Sequence, residues 1–166
     1  MLRRIIPFAV LSGLFTLGLF EYGNAQTPAP SQSPPSQVYK PGLGDLMTMT
    51  VQPRHTKLGL AGQEKNWAYA AYELHELQES FDRAVRVWPV YRKTNIAELI
   101  AATMKEPMES IAEAIKNADA SKFASAYARL TDTCNACHQV AERPFVVIQV
   151  PKTSPFPDQD FRPGKP

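Results

Sequence analysis

Near its C-terminal end the chain reads Cys134-Asn135-Ala136-Cys137-His138, and no other stretch constrains the fold so tightly. Two cysteines separated by two residues and followed at once by histidine form the attachment pattern of a c-type haem. Both thiols make thioethers to the vinyl groups, and the histidine ligates iron. On a helix, positions i, i+3 and i+4 share one face, so Cys134, Cys137 and His138 would project toward one partner. The competing readings are a redox dithiol, half of a zinc site and a disulfide. Both cysteines of the chain lie in this motif, so zinc lacks a second cysteine pair. A Cys-x-x-Cys redox centre normally follows a strand, whereas the flanking sequence here reads helical. The motif therefore predicts one covalent haem c, bound through Cys134 and Cys137, with His138 as the proximal iron ligand.

The N-terminus agrees with that reading. Arg3 and Arg4 precede an apolar run from Ile5 to Phe20, and Gly23-Asn24-Ala25 supplies small residues for a signal peptidase. Residues 1–25 are thus expected to be a cleaved signal peptide, with no stable membrane span left in the mature chain. An uncleaved anchor is the alternative, because about sixteen apolar residues fall just short of a span. Export, to the periplasm or beyond, suits a haem that is attached after translocation. Residues 26–43 follow, with Pro28, Pro30, Pro34, Pro35 and Pro41 among Ser and Gln. Such a segment buries too little to offset its chain entropy and reads as a disordered tether.

Residues 44–143 carry four helical stripes. Leu46, Met47, Val51, Arg54, His55 and Leu58 form the first, with Gly59 and Gly62 marking its end. Pro53 either kinks this helix or begins its regular part. Trp67, Ala71, Leu74, Leu77, Phe81, Ala84 or Val85, and Trp88 repeat every three or four residues up to Pro89. After a loop through Arg92 to Asn95, Ile96, Leu99, Ile100, Thr103, Met104, Met108, Ile111 and Ile115 make a third stripe, which Pro107 should kink or split. Asn117 and Asp119 supply a stop and a new N-cap. Phe123, Ala126, Tyr127, Leu130, Cys134, Cys137, His138 and Ala141 then share the last stripe. The haem motif is in phase with the core-facing side. Residues 144–166 form an extended, Pro-rich tail, in which Phe145 to Val150 is apolar enough to strap the haem edge or the helix ends; docking of a partner is the alternative.

This pattern predicts an all-α protein, an up-and-down antiparallel four-helix bundle with covalent haem on its last helix. The mature chain of about 140 residues is one domain's worth. The formal net charge of +2 falls to about +1 without Arg3, Arg4 and Glu21, which leaves no field to attract nucleic acid.

At this point the chain resembles the cytochrome c-prime family, exported four-helix bundles whose Cys-x-x-Cys-His lies in the last helix. Members often show an apolar residue, then Arg-Gln, then Leu or Met on the first helix; here the matching residues are Val51, Arg54, His55 and Leu58. The resemblance implies that Arg54 lies near a propionate, that Leu58 covers the distal face of the iron, and that the protein is a homodimer. The departures are His55 in place of glutamine, Pro53 within the helix, and the long tail.

The distal side decides the chemistry. A strong sixth ligand suits electron transfer, whereas an open or apolar site admits small gases. His55 is the distal ligand candidate on the first stripe; Leu58 as a lid and the thioethers of Met47, Met49, Met104 and Met108 are the alternatives. Arg54 and Arg143 are candidate propionate partners. The leading expectation is an exported single-electron carrier serving a redox partner protein. The others are a nitric oxide or carbon monoxide binder of the cytochrome c-prime type and a helical interaction module with structural haem. No paired carboxylates or nucleophile–base pair argues for an enzyme, although an open haem supports weak peroxidase-like turnover.

Overall fold

The computed structural model describes residues 39–164. The expected signal peptide and residues 26–38 of the expected tether lie outside the described residues. Within them the protein is all-α, apart from one two-residue hairpin.

The first stripe becomes a continuous helical stretch in three parts. Helix α1 (Leu43–Leu46) runs into a π-helical turn (Met47–Val51), which continues as α2 (Gln52–Gln63). The proline explains the wide turn. Pro53 has no N–H to donate back along the helix, and just before it the Gln52 N–H reaches the carbonyl of Met47, five residues back. The α-helical register resumes with Pro53 in the first turn of α2, where proline is tolerated.

Gly59 and Gly62 do not end this helix. Both are buried within α2, and close approach explains them. A Cβ at Gly59 would sit 2.5 Å from the Tyr127 ring and 2.9 Å from Pro151, and one at Gly62 would collide with the ring of Phe123. The glycines let α2 lie directly against aromatic side chains of the last helix.

Helix α3 (Trp67–Val87) starts at Asn66, whose side chain accepts from the Tyr69 N–H at 3.2 Å. It is followed by strands β1 (Val90–Tyr91) and β2 (Thr94–Asn95), paired antiparallel around Arg92, which has a φ of 55°. Asn95 caps α4 (Ile96–Lys116). Pro107 lies buried inside α4 without splitting it. Asp119 caps α5 (Ala120–Val140) as the sequence predicts, accepting from the Lys122 N–H at 2.9 Å.

Helix α2 packs on α3 and α5, and α4 packs on α3 and α5. Leu58, Leu77, Ile111 and Leu130 are the largest apolar side chains fully enclosed between them, each worth about 1.5–3 kcal/mol of apolar burial. Beyond α5 the chain is extended but docked. Phe161 is buried and stacks on Tyr69 with ring centroids 5.4 Å apart, and the Gln63 side chain donates to the Pro151 carbonyl at 2.9 Å. At the other end, residues 39–43 of the expected tether also make contacts. Lys40 lies 3.7 Å from the centre of the Trp88 ring, and the Trp88 indole donates to the Pro41 carbonyl at 2.8 Å.

Candidate cofactor site

A cavity of about 330 Å³ opens between these elements, within the size range of small-molecule and cofactor sites. One wall is the stretch from α1 to α2, through Leu43, Met47, Val51 and His55. Phe81, Ile96, Ile100 and Met104 line it from α3 and α4. Cys134, Cys137 and His138 come from α5, and Arg143, Phe145, Val146 and Ile148 close it from the tail. The π turn shapes the first wall. It brings Met47, Thr48 and Val51 to the cavity, while Met49 faces solvent, 74% exposed.

Both cysteines are unpaired thiols. Burial pushes Cys134 up to about 12, with Cys137 beside it adding to the shift. Cys137 is also raised by burial, against the opposing effect of the Thr103 hydroxyl, which lies 3.3 Å from its sulfur. Both thiols therefore hold their protons at neutral pH. A dithiol redox centre needs the opposite, a thiolate stabilised by a helix N-terminus or a cation, and these cysteines sit in the last turns of α5.

His138 is half-buried and lines the same cavity. Its Nδ1 lies 2.8 Å from the carbonyl oxygen of Val146. A carbonyl only accepts, so Nδ1 carries the proton and donates, and the lone pair belongs to Nε2, the nitrogen left for a metal. Among the described residues no three His, Cys, Asp or Glu side chains converge to hold a metal ion. The donor set suits a prosthetic group that brings most of its own ligands: two thiols and one imidazole from one helix face, on an apolar cavity. Arg143 is the only Lys, Arg, Asp or Glu among the described residues lining that cavity, which suits a largely apolar macrocycle with acidic substituents at its edge.

No family model, curated protein or solved structure matches this chain.

The other residues singled out from the sequence fall in different places. His55 lines the cavity but is buried, with both ring nitrogens engaged. Nε2 lies 3.0 Å from the Thr131 hydroxyl and Nδ1 lies 3.1 Å from the Tyr127 hydroxyl. Tyr127 spends its one proton on the His55 carbonyl at 2.7 Å, so it accepts from Nδ1–H, and the single Thr131 hydroxyl proton is shared between His55 Nε2 and the Tyr127 carbonyl, each 3.0 Å away. Burial lowers the His55 imidazole to about 4, which keeps the ring neutral at physiological pH.

Arg54 does not line the cavity. It reaches across to α3, pairing with Glu73 at 3.2 Å and Glu76 at 3.1 Å. Glu73 is nearly fully buried, and burial pushes its carboxyl up although Arg54 pulls it down. Leu58 is also absent from the cavity wall; it sits at the centre of the core. Among the methionines, Met47 and Met104 line the cavity, and Met108 packs against the core.

Sequence reasoning placed Thr103 on the third stripe and Asn135 within the haem motif without a role for either, and did not reach Thr131. Thr131 follows the last-helix stripe one position after Leu130, a legible signal. Asn135 occupies a variable slot of the haem motif, where nothing in the spacing indicates a role.

Proposed function

We propose that this chain is an exported c-type cytochrome, with one haem c attached to Cys134 and Cys137 and His138 as the proximal iron ligand. In this reading α2 to α5 form an up-and-down antiparallel four-helix bundle resembling the cytochrome c-prime family, and residues 1–25 direct export. The observation that carries it is that Cys134, Cys137 and His138 all line one largely apolar cavity. When bound, the iron supplies a one-electron couple. Cys134 and Cys137 fix the group to α5, His138 presents Nε2 to the metal, and Arg143 offers its charge to a propionate. The wall from Leu43 to His55 excludes water. The protein would then pass single electrons between redox partners rather than turn over a substrate.

A second reading, binding of nitric oxide or carbon monoxide, is favoured by a separate observation. Thr131 and Tyr127 occupy both ring nitrogens of His55, so the distal wall commits no imidazole to the iron. The thioethers of Met47 and Met104 are the remaining donors on the cavity wall.

The test is to express the full chain with a c-type haem maturation system and to ask whether haem stays with the polypeptide after denaturation. Optical and paramagnetic resonance spectra are then recorded with and without carbon monoxide. Retained haem with a low-spin spectrum unresponsive to the gas supports electron transfer through a six-coordinate centre. A high-spin iron that takes up the gas supports the second reading. Absence of covalent haem, or its persistence in the Cys134→Ala/Cys137→Ala chain, overturns the haem assignment.

A further inference from the structure

The first variable residue of the haem motif has a defined set of bonds. Asn135 is half-buried on α5. Its side-chain Nδ2 donates to the Ile148 carbonyl at 3.0 Å, and its Oδ1 accepts from the Ile148 N–H at 2.7 Å. One amide thus satisfies both main-chain groups of a single tail residue, as a neighbouring strand would. Two residues earlier, the Val146 carbonyl accepts from His138 Nδ1. Asn135 and His138 are three apart on one helix and so face the same way. The segment 146–148 is therefore held to α5 at two points, one at the imidazole and one at Asn135.

The other hydrogen bonds from the helices to this part of the tail lie at its ends, where the Arg143 N–H donates to the His138 carbonyl at 2.7 Å and the Gln63 side chain donates to the Pro151 carbonyl at 2.9 Å. Phe145 and Val147 are 76% and 63% exposed, and the Val146 N–H closes a turn onto Arg143 at 3.0 Å without reaching α5. Released from Asn135, the Val146 carbonyl would exchange His138 for water, and the imidazole would lose the bond that sets its tautomer.

We propose that Asn135 is a positioning residue for His138: by clamping Ile148 it holds the Val146 carbonyl on Nδ1, so that the Nε2 lone pair faces the cavity. The inference rests on the haem reading for its consequence at the metal, but not for the tautomer itself. A hydrogen bond that strips charge from Nδ1–H makes Nε2 a stronger donor and favours the ferric state. The clamp thereby sets the redox potential from outside the ligand set.

The experiment compares the native sequence, Asn135→Asp and Asn135→Ala as full chains, with helicity checked by circular dichroism. Nitrogen NMR on chains made without haem attachment, at mildly alkaline pH, reads the His138 tautomer. The native chain should show one tautomer protonated at Nδ1. Asn135→Ala should show a mixture, and Asn135→Asp, which keeps the acceptor for the Ile148 N–H, should fall between. If Asn135→Ala loses its helicity, Asn135→Asp decides in its place. In haem-loaded chains the midpoint potential of Asn135→Ala should lie above that of the native chain. An unchanged tautomer in a folded variant overturns the proposal, even if haem attaches normally. A tautomer that responds in a native chain that attaches no haem upholds the clamp and defeats the haem reading instead.

Discussion

The ring of His55 stacks on the ring of Tyr127 with centroids 4.8 Å apart, and the Tyr127 hydroxyl donates to the His55 main-chain carbonyl at 2.7 Å. This contact ties α2 to α5 beside the cavity and buries the imidazole, which disfavours its charged form. A folded value of about 4 against 6.5 for the free side chain means that between those limits the unfolded chain binds the proton and the folded chain does not. Stability at pH 7 is therefore complete in this respect and falls as the pH drops from 6.5 toward 4, by up to about 3 kcal/mol. Denaturant titrations across this window should show the loss, and His55→Gln should flatten it. An equal slope in both chains would place the acid sensitivity elsewhere.

Gly62 sets the distance between the same two helices. A methyl group there would enter the ring of Phe123, which is buried between Trp67 and Tyr127 and has no open side to move into. Gly62→Ala is expected to cost about 1–3 kcal/mol through overpacking, despite the better helix propensity of alanine. Gly44 is the control, because a Cβ there meets nothing within 4 Å. Thermal melts should separate the two, Gly62→Ala lowering the midpoint and Gly44→Ala leaving it unchanged or raising it.

These glycines show where sequence reading reached its limit. A glycine near the end of an apolar stripe signals termination or close approach equally well, and only the position of Phe123 and Tyr127 decides between them. Arg54 was legible as a charged residue on the first stripe, but its partners Glu73 and Glu76 lie on another helix, beyond the reach of local periodicity. The core-facing stripes and the Asp119 cap were legible because both are local. The spacing of Cys134, Cys137 and His138 was legible because one helix turn brings them to one face. The tail was harder. Proline-rich composition is shared by chains that dangle and chains that dock, and nothing local distinguishes Phe161 from an exposed aromatic.

That docking can be measured. Phe161 stacks on Tyr69, Asn66 donates to the Arg162 carbonyl at 3.0 Å, and Tyr69 donates to Gln159 at 3.1 Å. Ending the chain after Val150 removes all of these and uncovers the α2–α3 connection. The truncated chain should lose about 3–5 kcal/mol, the amount expected for deleting one large buried aromatic, and Phe161→Ala alone should reproduce most of that loss. A truncated chain that unfolds at the native denaturant midpoint would show that the tail rests on the helices without stabilising them.

Three helices end in the same way, and each ends without glycine. After α2, α4 and α5 the chain turns through Lys65, Ala118 and Glu142, with φ of 57°, 51° and 58°. The following N–H groups reach back to Ala61, Ala114 and His138. This is the helix stop in which a left-handed residue, usually glycine, lets the next N–H reach the third-last carbonyl. A side chain in that conformation costs about 1–2 kcal/mol, while glycine gives back roughly half of the gain through its greater freedom when unfolded. Ala118→Gly should therefore stabilise the protein by about 0.5–1 kcal/mol and raise its melting midpoint by roughly 2–6 °C. The same change at Glu142 should stabilise as much while leaving the His138 bond to Val146 in place, because the backbone there already has the conformation glycine prefers. A fall in stability at either position would mean that the Ala118 or Glu142 side chain makes a contact worth more than the strain it carries.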